Sequence, residues 1–140
     1  MTAPNFQLQD IKTGEPISLE KYKEKAILLT FWVSWCPDSQ RDLPNKEQLY
    51  RSMNTDDLVI LMVHVSGREG TAEAGEKYYD ENNFTFPCAV DDGTKVYDRY
   101  QCMSVPTTFL LNSNHEIVAR FNDKASFQEM IQAIGNVLNQ

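Results

Sequence analysis

The segment Phe31-Trp32-Val33-Ser34-Trp35-Cys36-Pro37-Asp38-Ser39 carries the most distinctive chemistry in this 140-residue chain. An apolar run ends, a cysteine follows, and a proline opens what reads as a helix. Proline is favoured at a first helical position, where its missing N–H would have had no intrahelical partner. The Cys36 sulfur is therefore expected at a helix N-terminus. Free backbone N–H groups and the positive end of the helix dipole favour a thiolate there. The dipole contributes about 0.3–1 kcal/mol, up to about 2 when partly buried. Asp38, within one turn, opposes it. A moderately activated nucleophile is the expectation, with a buried inert thiol as the alternative.

Two further cysteines, Cys88 and Cys102, follow at spacings of 52 and 14. Three cysteines do not make a disulfide scaffold. They match no paired-ligand zinc pattern, and only His64 and His115 could assist. No metal and no other cofactor is expected. Cys88 and Cys102 read as small buried core thiols, with a Cys88–Cys102 pair as a minor alternative. Cys102 lies four residues before Pro106, a span of roughly 13 Å when extended, so its distance from the site stays open. His64 ends an apolar run, where sites of α/β proteins gather; it could modulate Cys36 or be a satisfied core histidine. His115 reads as a turn residue.

The elements that must position Cys36 follow from hydrophobic patterning. Ala26–Val33 and Leu58–Val65 are continuous apolar runs, the pattern of strands buried on both faces. Ala3–Ile17 is extended and turn-rich, and Ser18 reads as the N-cap of a short helix to Tyr22. Residues 37–54 read as a helix with Leu43, Leu49 and Met53 on one face and a kink at Pro44. Residues 71–82 and 94–100 are also helical. Phe86–Val90 is a short strand. Thr107–Leu111 and Glu116–Phe121 form a hairpin around Asn112–His115. Ser126–Leu138 closes as an amphipathic helix. This order predicts an α/β domain with a mixed sheet.

Composition bounds the partners. The chain is 41% hydrophobic and 24% charged, with net charge −7 and pI near 4.7. That is globular composition, of a length suited to one domain over 1–140. No basic stripe is present for nucleic acid. The longest apolar stretch, eight residues, falls short of the roughly 20 needed to span a bilayer. No signal-peptide pattern opens the chain as written.

With these residues in place, the sequence resembles the thioredoxin superfamily, most closely its TlpA/ResA-like thiol-disulfide oxidoreductases, related to the redoxin and AhpC/TSA group. The resemblance covers nearly the whole chain. It rests on Ala3-Pro4-Asn5-Phe6-Gln7-Leu8 with Gly14 and Ser18-Leu19, on Phe31-Trp32 with Trp35-Cys36-Pro37, and on Arg41-Asp42-Leu43-Pro44. Phe86-Pro87, Asp91, Tyr100 and Val105-Pro106-Thr107-Thr108-Phe109-Leu110 continue it. It implies a thioredoxin-like fold, a central mixed β-sheet flanked by helices on both faces. It implies Cys36 as nucleophile and Pro106 as a cis proline facing it. Val105 would pair its backbone with a bound polypeptide. Trp32 and Trp35 would line the rim, and Pro37 would adjoin the same surface.

The sequence departs from the resembled pattern at Ser39, where a second cysteine is expected. Serine cannot form a disulfide, although it could donate a hydrogen bond to the Cys36 thiolate. Release of a mixed disulfide would then need another thiol. Three readings stay open for Ser39: a natural monothiol exchange or isomerase site, a Cys→Ser change that traps substrates, and a redox-inactive polypeptide-binding module. A one-cysteine peroxidase is a further reading. However, the Pro-x-x-x-Thr-x-x-Cys pattern of peroxidases has Leu29 and Val33 at its Pro and Thr positions here. The buried acid that often assists proton transfer is replaced by Thr30. The glutamate of the loop after the second central strand is replaced by Gly67; Glu69 could substitute or be a solvated loop charge. The implied partners are protein disulfides or thiols, together with an external thiol reductant or upstream redox protein. A monomer is the default. The location is expected to be cytoplasmic as the chain is written. Its alternative is an extracytoplasmic domain of a membrane-anchored bacterial protein.

Overall fold

The computed structural model describes residues 1–53, 56–71 and 73–139. β1 (Gln7–Asp10) and β2 (Pro16–Ser18) pair antiparallel around a turn in which Gly14 takes φ +74°. That left-handed conformation is open to glycine at little cost. β3 (Ala26–Trp32) is buried at every residue, as its apolar run predicts. α1 (Pro37–Ser52) leaves its C-terminal end, passes unbroken through Pro44, and returns the chain to β4 (Leu58–His64). β4 lies parallel to β3, from Ala26 opposite Leu58 to Trp32 opposite His64. α2 (Ala74–Glu81), β5 (Cys88–Val90) and α3 (Lys95–Arg99) follow. β6 (Thr107–Leu111) and β7 (Ile117–Phe121) form the expected hairpin, and α4 (Phe127–Leu138) closes the chain. The expected helix ends at Asn54 and across Ala72 lie outside the described residues.

The strands form one mixed sheet in the order β2-β1-β5-β4-β3-β6-β7. β3 and β4 occupy the middle because their side chains are apolar on both faces. Alternation along β3 divides the core. Ile27, Leu29 and Phe31 join a cluster with Val96, Tyr97 and Tyr100 on the α3 side. Ala26, Leu28 and Trp32 join Leu43, Tyr79 and Ile134, supplied by α1, α2 and α4. Helices thus cover both faces.

The short helix expected after Ser18 is present, with Ser18 at its N-cap position. Residues 19–22 form a 3₁₀ turn, and the Ser18 side chain makes no capping hydrogen bond. At α4 the cap is real: Ser126 Oγ accepts the Glu129 N–H at 3.2 Å, which satisfies an otherwise unpaired donor of the first turn.

Candidate active site

Cys36 is the N-cap of α1, with Pro37 at the first helical position. The strand-to-helix turn aims its side chain at the loop before β6. Its Sγ lies 3.4 Å from the Val105 carbonyl oxygen, and the Val105–Pro106 peptide is cis. Cys36 is 9% exposed, whereas neighbouring Trp35 is 54% exposed. The structure therefore brings Cys36, Trp35, Pro37, Val105 and Pro106 to one end of the sheet. It does not bring Trp32 to the rim. Trp32 falls on the α1 face of β3, is fully buried, and packs its ring 4.8 Å from His64 and 5.9 Å from Tyr78.

Ser39 is fully buried. Its Oγ accepts the Val33 N–H at 3.5 Å, so the hydroxyl faces the end of β3, and the Cys36 sulfur has the Val105 carbonyl as its partner. Ser39 Oγ thus ties the helix start to the end of β3 as an acceptor, and its hydroxyl proton has no partner in this contact.

Cys88 and Cys102 are free and buried on opposite sides of the sheet. That separation rules out the minor Cys88–Cys102 pairing in this fold. Burial pushes both thiols up to about 12. Cys102 shares a cluster with Cys36 but is packed as a core side chain. His115 holds a turn, with φ +60° and its ring on the Tyr22 carbonyl at 3.1 Å.

A groove of about 250 Å³ opens beside Pro106, between α1 and the start of α4, and is lined by Asp38, Arg41, Asp42 and Asn45 among others. Asp42 leads from it into the interior. Its carboxylate accepts from Lys46 Nζ at 2.5 Å, and the same ammonium donates to Thr30 Oγ1 and Thr108 Oγ1, each at 2.9 Å. Lys46 is fully buried. Burial pushes its ammonium down from its ordinary range, with Asp42 pulling the other way. Sequence patterning did not single out Lys46. The available signal was its spacing of three from Leu43, which puts it on the apolar face of α1.

Glu69 also departs from its solvated-loop reading. Its side chain is 1% exposed and that of His64 is 3% exposed. The carboxylate accepts from Ser34 N–H and Ser34 Oγ, each at 2.7 Å, and from His64 Nε2 at 2.6 Å. Burial pushes His64 below its ordinary value, against the pull of Glu69.

With this geometry in place, the comparisons define the class. The fold is thioredoxin-like: a thioredoxin-like superfamily protein superposes with TM-score 0.87 at 20% identity, over 100% of this chain and 97% of its own. Bacillus subtilis StoA superposes with TM-score 0.81 at 27% identity, over 94% and 96% of the two chains. The AhpC/TSA family pattern matches residues 1–120, and the chain belongs to the AhpC/TSA family. The thiol-disulfide oxidoreductase ResA of Halalkalibacterium halodurans is 34% identical over 116 residues, covering 83% of this chain. This chain spans 64% of that relative's length. No helix among the described residues is long and apolar enough to cross a membrane.

Proposed function

We propose that this chain performs thiol–disulfide exchange on polypeptide substrates through Cys36, as a monothiol site in which Ser39 stands where the resembled pattern has its resolving cysteine. The observation that carries this reading is the Cys36 sulfur at a helix N-terminus, set against the Val105–Pro106 edge with Trp35 exposed beside it. The similarity to ResA supports the same class of reaction.

The Cys36 thiol first loses its proton to solvent. The thiolate attacks one sulfur of a substrate disulfide, a mixed disulfide forms, and the second substrate sulfur leaves as a thiolate. An external thiolate then attacks the mixed disulfide and releases Cys36. The groove beside Pro106 and the indole of Trp35 hold the polypeptide while Val105 aligns its backbone. As the N-cap of α1, Cys36 lies at the positive end of the helix dipole, which favours the negative charge that returns at each release.

A peroxidase reading has less support. Leu29 and Val33, which hold the Pro and Thr positions of that pattern, are fully buried apolar side chains. They offer a peroxide no hydrogen bond.

Incubating the reduced protein with a peptide that contains one disulfide tests the proposal. The expected product is a 1:1 adduct mapped to Cys36 by peptide mass, released by added small thiol and absent in Cys36→Ser. An adduct that forms equally in Cys36→Ser contradicts the exchange site. Retained peptide binding with no adduct favours the redox-inactive binding module.

A further inference from the structure

Ser34, two residues before Cys36, is fixed at three atoms. Its N–H and Oγ both donate to Glu69, and its carbonyl accepts from Gln40 Nε2 at 2.9 Å. Trp35 is held from the same loop, its indole N–H donating to the Arg68 carbonyl at 2.7 Å. Glu69 is in turn fixed from behind. Its Oε2 accepts from Ser34 N–H, so the 2.6 Å contact with His64 places the imidazole proton on Nε2, donating to the same carboxylate. Gly75 of α2 lies against this ring: a Cβ there would stand 2.2 Å from His64 Nε2. The close approach is open only to glycine.

Resting on the exchange reading, we propose that Glu69, backed by His64, is a positioning residue for Cys36. Its carboxylate straps the Ser34–Trp35 turn to the β4 loop and so sets how the thiol meets the Val105 edge. Glu69 makes no contact with the sulfur; its work is geometric. Misplacement of a reacting group by about 1 Å can lower a rate on the order of 100-fold. A lost strap therefore shows in the exchange rate.

The chemistry of the strap separates geometry from charge. In Glu69→Gln the amide oxygen can take the place of Oε2 and accept from Ser34 N–H and His64 Nε2–H. The amide NH₂ then faces Ser34 Oγ, a hydroxyl that also accepts. In Glu69→Ala all three bonds vanish.

The test is the second-order rate of Cys36 with a small aromatic disulfide, read by release of the coloured thiol and mapped by mass, in the full chain. The expected result is at least a tenfold loss in Glu69→Ala and a rate within threefold of the unmodified chain in Glu69→Gln. Ser34→Ala, which removes only the Oγ bond, is expected to lose about threefold; it reports on the strap even if Glu69→Ala does not fold. Equal losses in the Ala and Gln variants would show that charge, not geometry, matters and would overturn the strap. So would an unchanged rate in Glu69→Ala or, where that variant does not fold, in Ser34→Ala. An unmodified chain whose Cys36 does not react overturns the exchange reading itself, and the strap with it.

Discussion

Ser39→Cys is expected to shorten the lifetime of the Cys36 mixed disulfide by at least about 100-fold. A thiol at position 39 sits three residues along from Cys36 at the helix start, where Cβ atoms lie about 5–6 Å apart. Modest adjustment brings such a pair to disulfide distance. Release then becomes intramolecular. Effective molarities of well-placed groups reach roughly 10⁵–10⁸ M, so a small part of that advantage over a millimolar external thiol gives the predicted factor. The substitution also exchanges the hydroxyl that accepts the Val33 N–H for a weaker acceptor, costing about 1 kcal/mol of stability. Quenched-flow mass spectrometry of the peptide adduct reads the lifetime directly. An adduct equally long-lived in Ser39→Cys would mean that position 39 cannot reach the mixed disulfide.

Lys46→Ala is expected to destabilise the fold by about 3 kcal/mol, the larger part from breaking a buried ion pair. Removing one member of such a pair typically costs about 3–5 kcal/mol. Asp42 is 11% exposed on the groove side, so water can partly solvate it, which places the loss at the lower end. Thr30 and Thr108 remain paired with each other at 3.0 Å and need no replacement partner. Lys46→Met keeps most of the buried stem volume but leaves Asp42 unpaired as Ala does; its expected loss is about 2 kcal/mol, the share owed to the broken ion pair. Denaturant unfolding of the two variants distinguishes them. A Lys46→Met loss below about 1 kcal/mol would assign the effect to packing and not to the ion pair.

The parts of the fold legible in the sequence are those set by local pattern. Ala26–Val33 and Leu58–Val65 announce the two central strands because both of their faces are apolar. Pro37 marks the start of α1, and with it the place of Cys36. The Asn112–His115 turn and the stripe from Phe127 to Leu138 are equally local signals. Less legible was anything that depends on which face a residue meets. Trp32 and Trp35 are three residues apart and chemically alike. Yet the pleat buries Trp32 against His64 and leaves Trp35 in solvent after the strand ends. Glu69 read as a loop charge because nothing in Val65-Ser66-Gly67-Arg68-Glu69 says that the loop folds back onto Ser34, 35 positions earlier. Lys46 was obscured by residue type: a lysine on an apolar helix stripe reads as surface until Thr30, Thr108 and Asp42 converge on its ammonium.

Competitive labelling of the three thiols with a small disulfide at neutral pH, in the native chain, with each site quantified by peptide mass, tests Cys36 as the exchange nucleophile directly. Cys88 and Cys102 are buried, their thiols pushed up to about 12, and serve as internal references. Thiolate attacks and thiol does not, so the two references are expected to stay unlabelled until the fold opens. Cys36 is expected to be labelled at least 100-fold faster than either. Labelling of Cys36 at the pace of Cys88 or Cys102 would contradict the exchange site and leave the Trp35–Pro106 surface as a binding site alone.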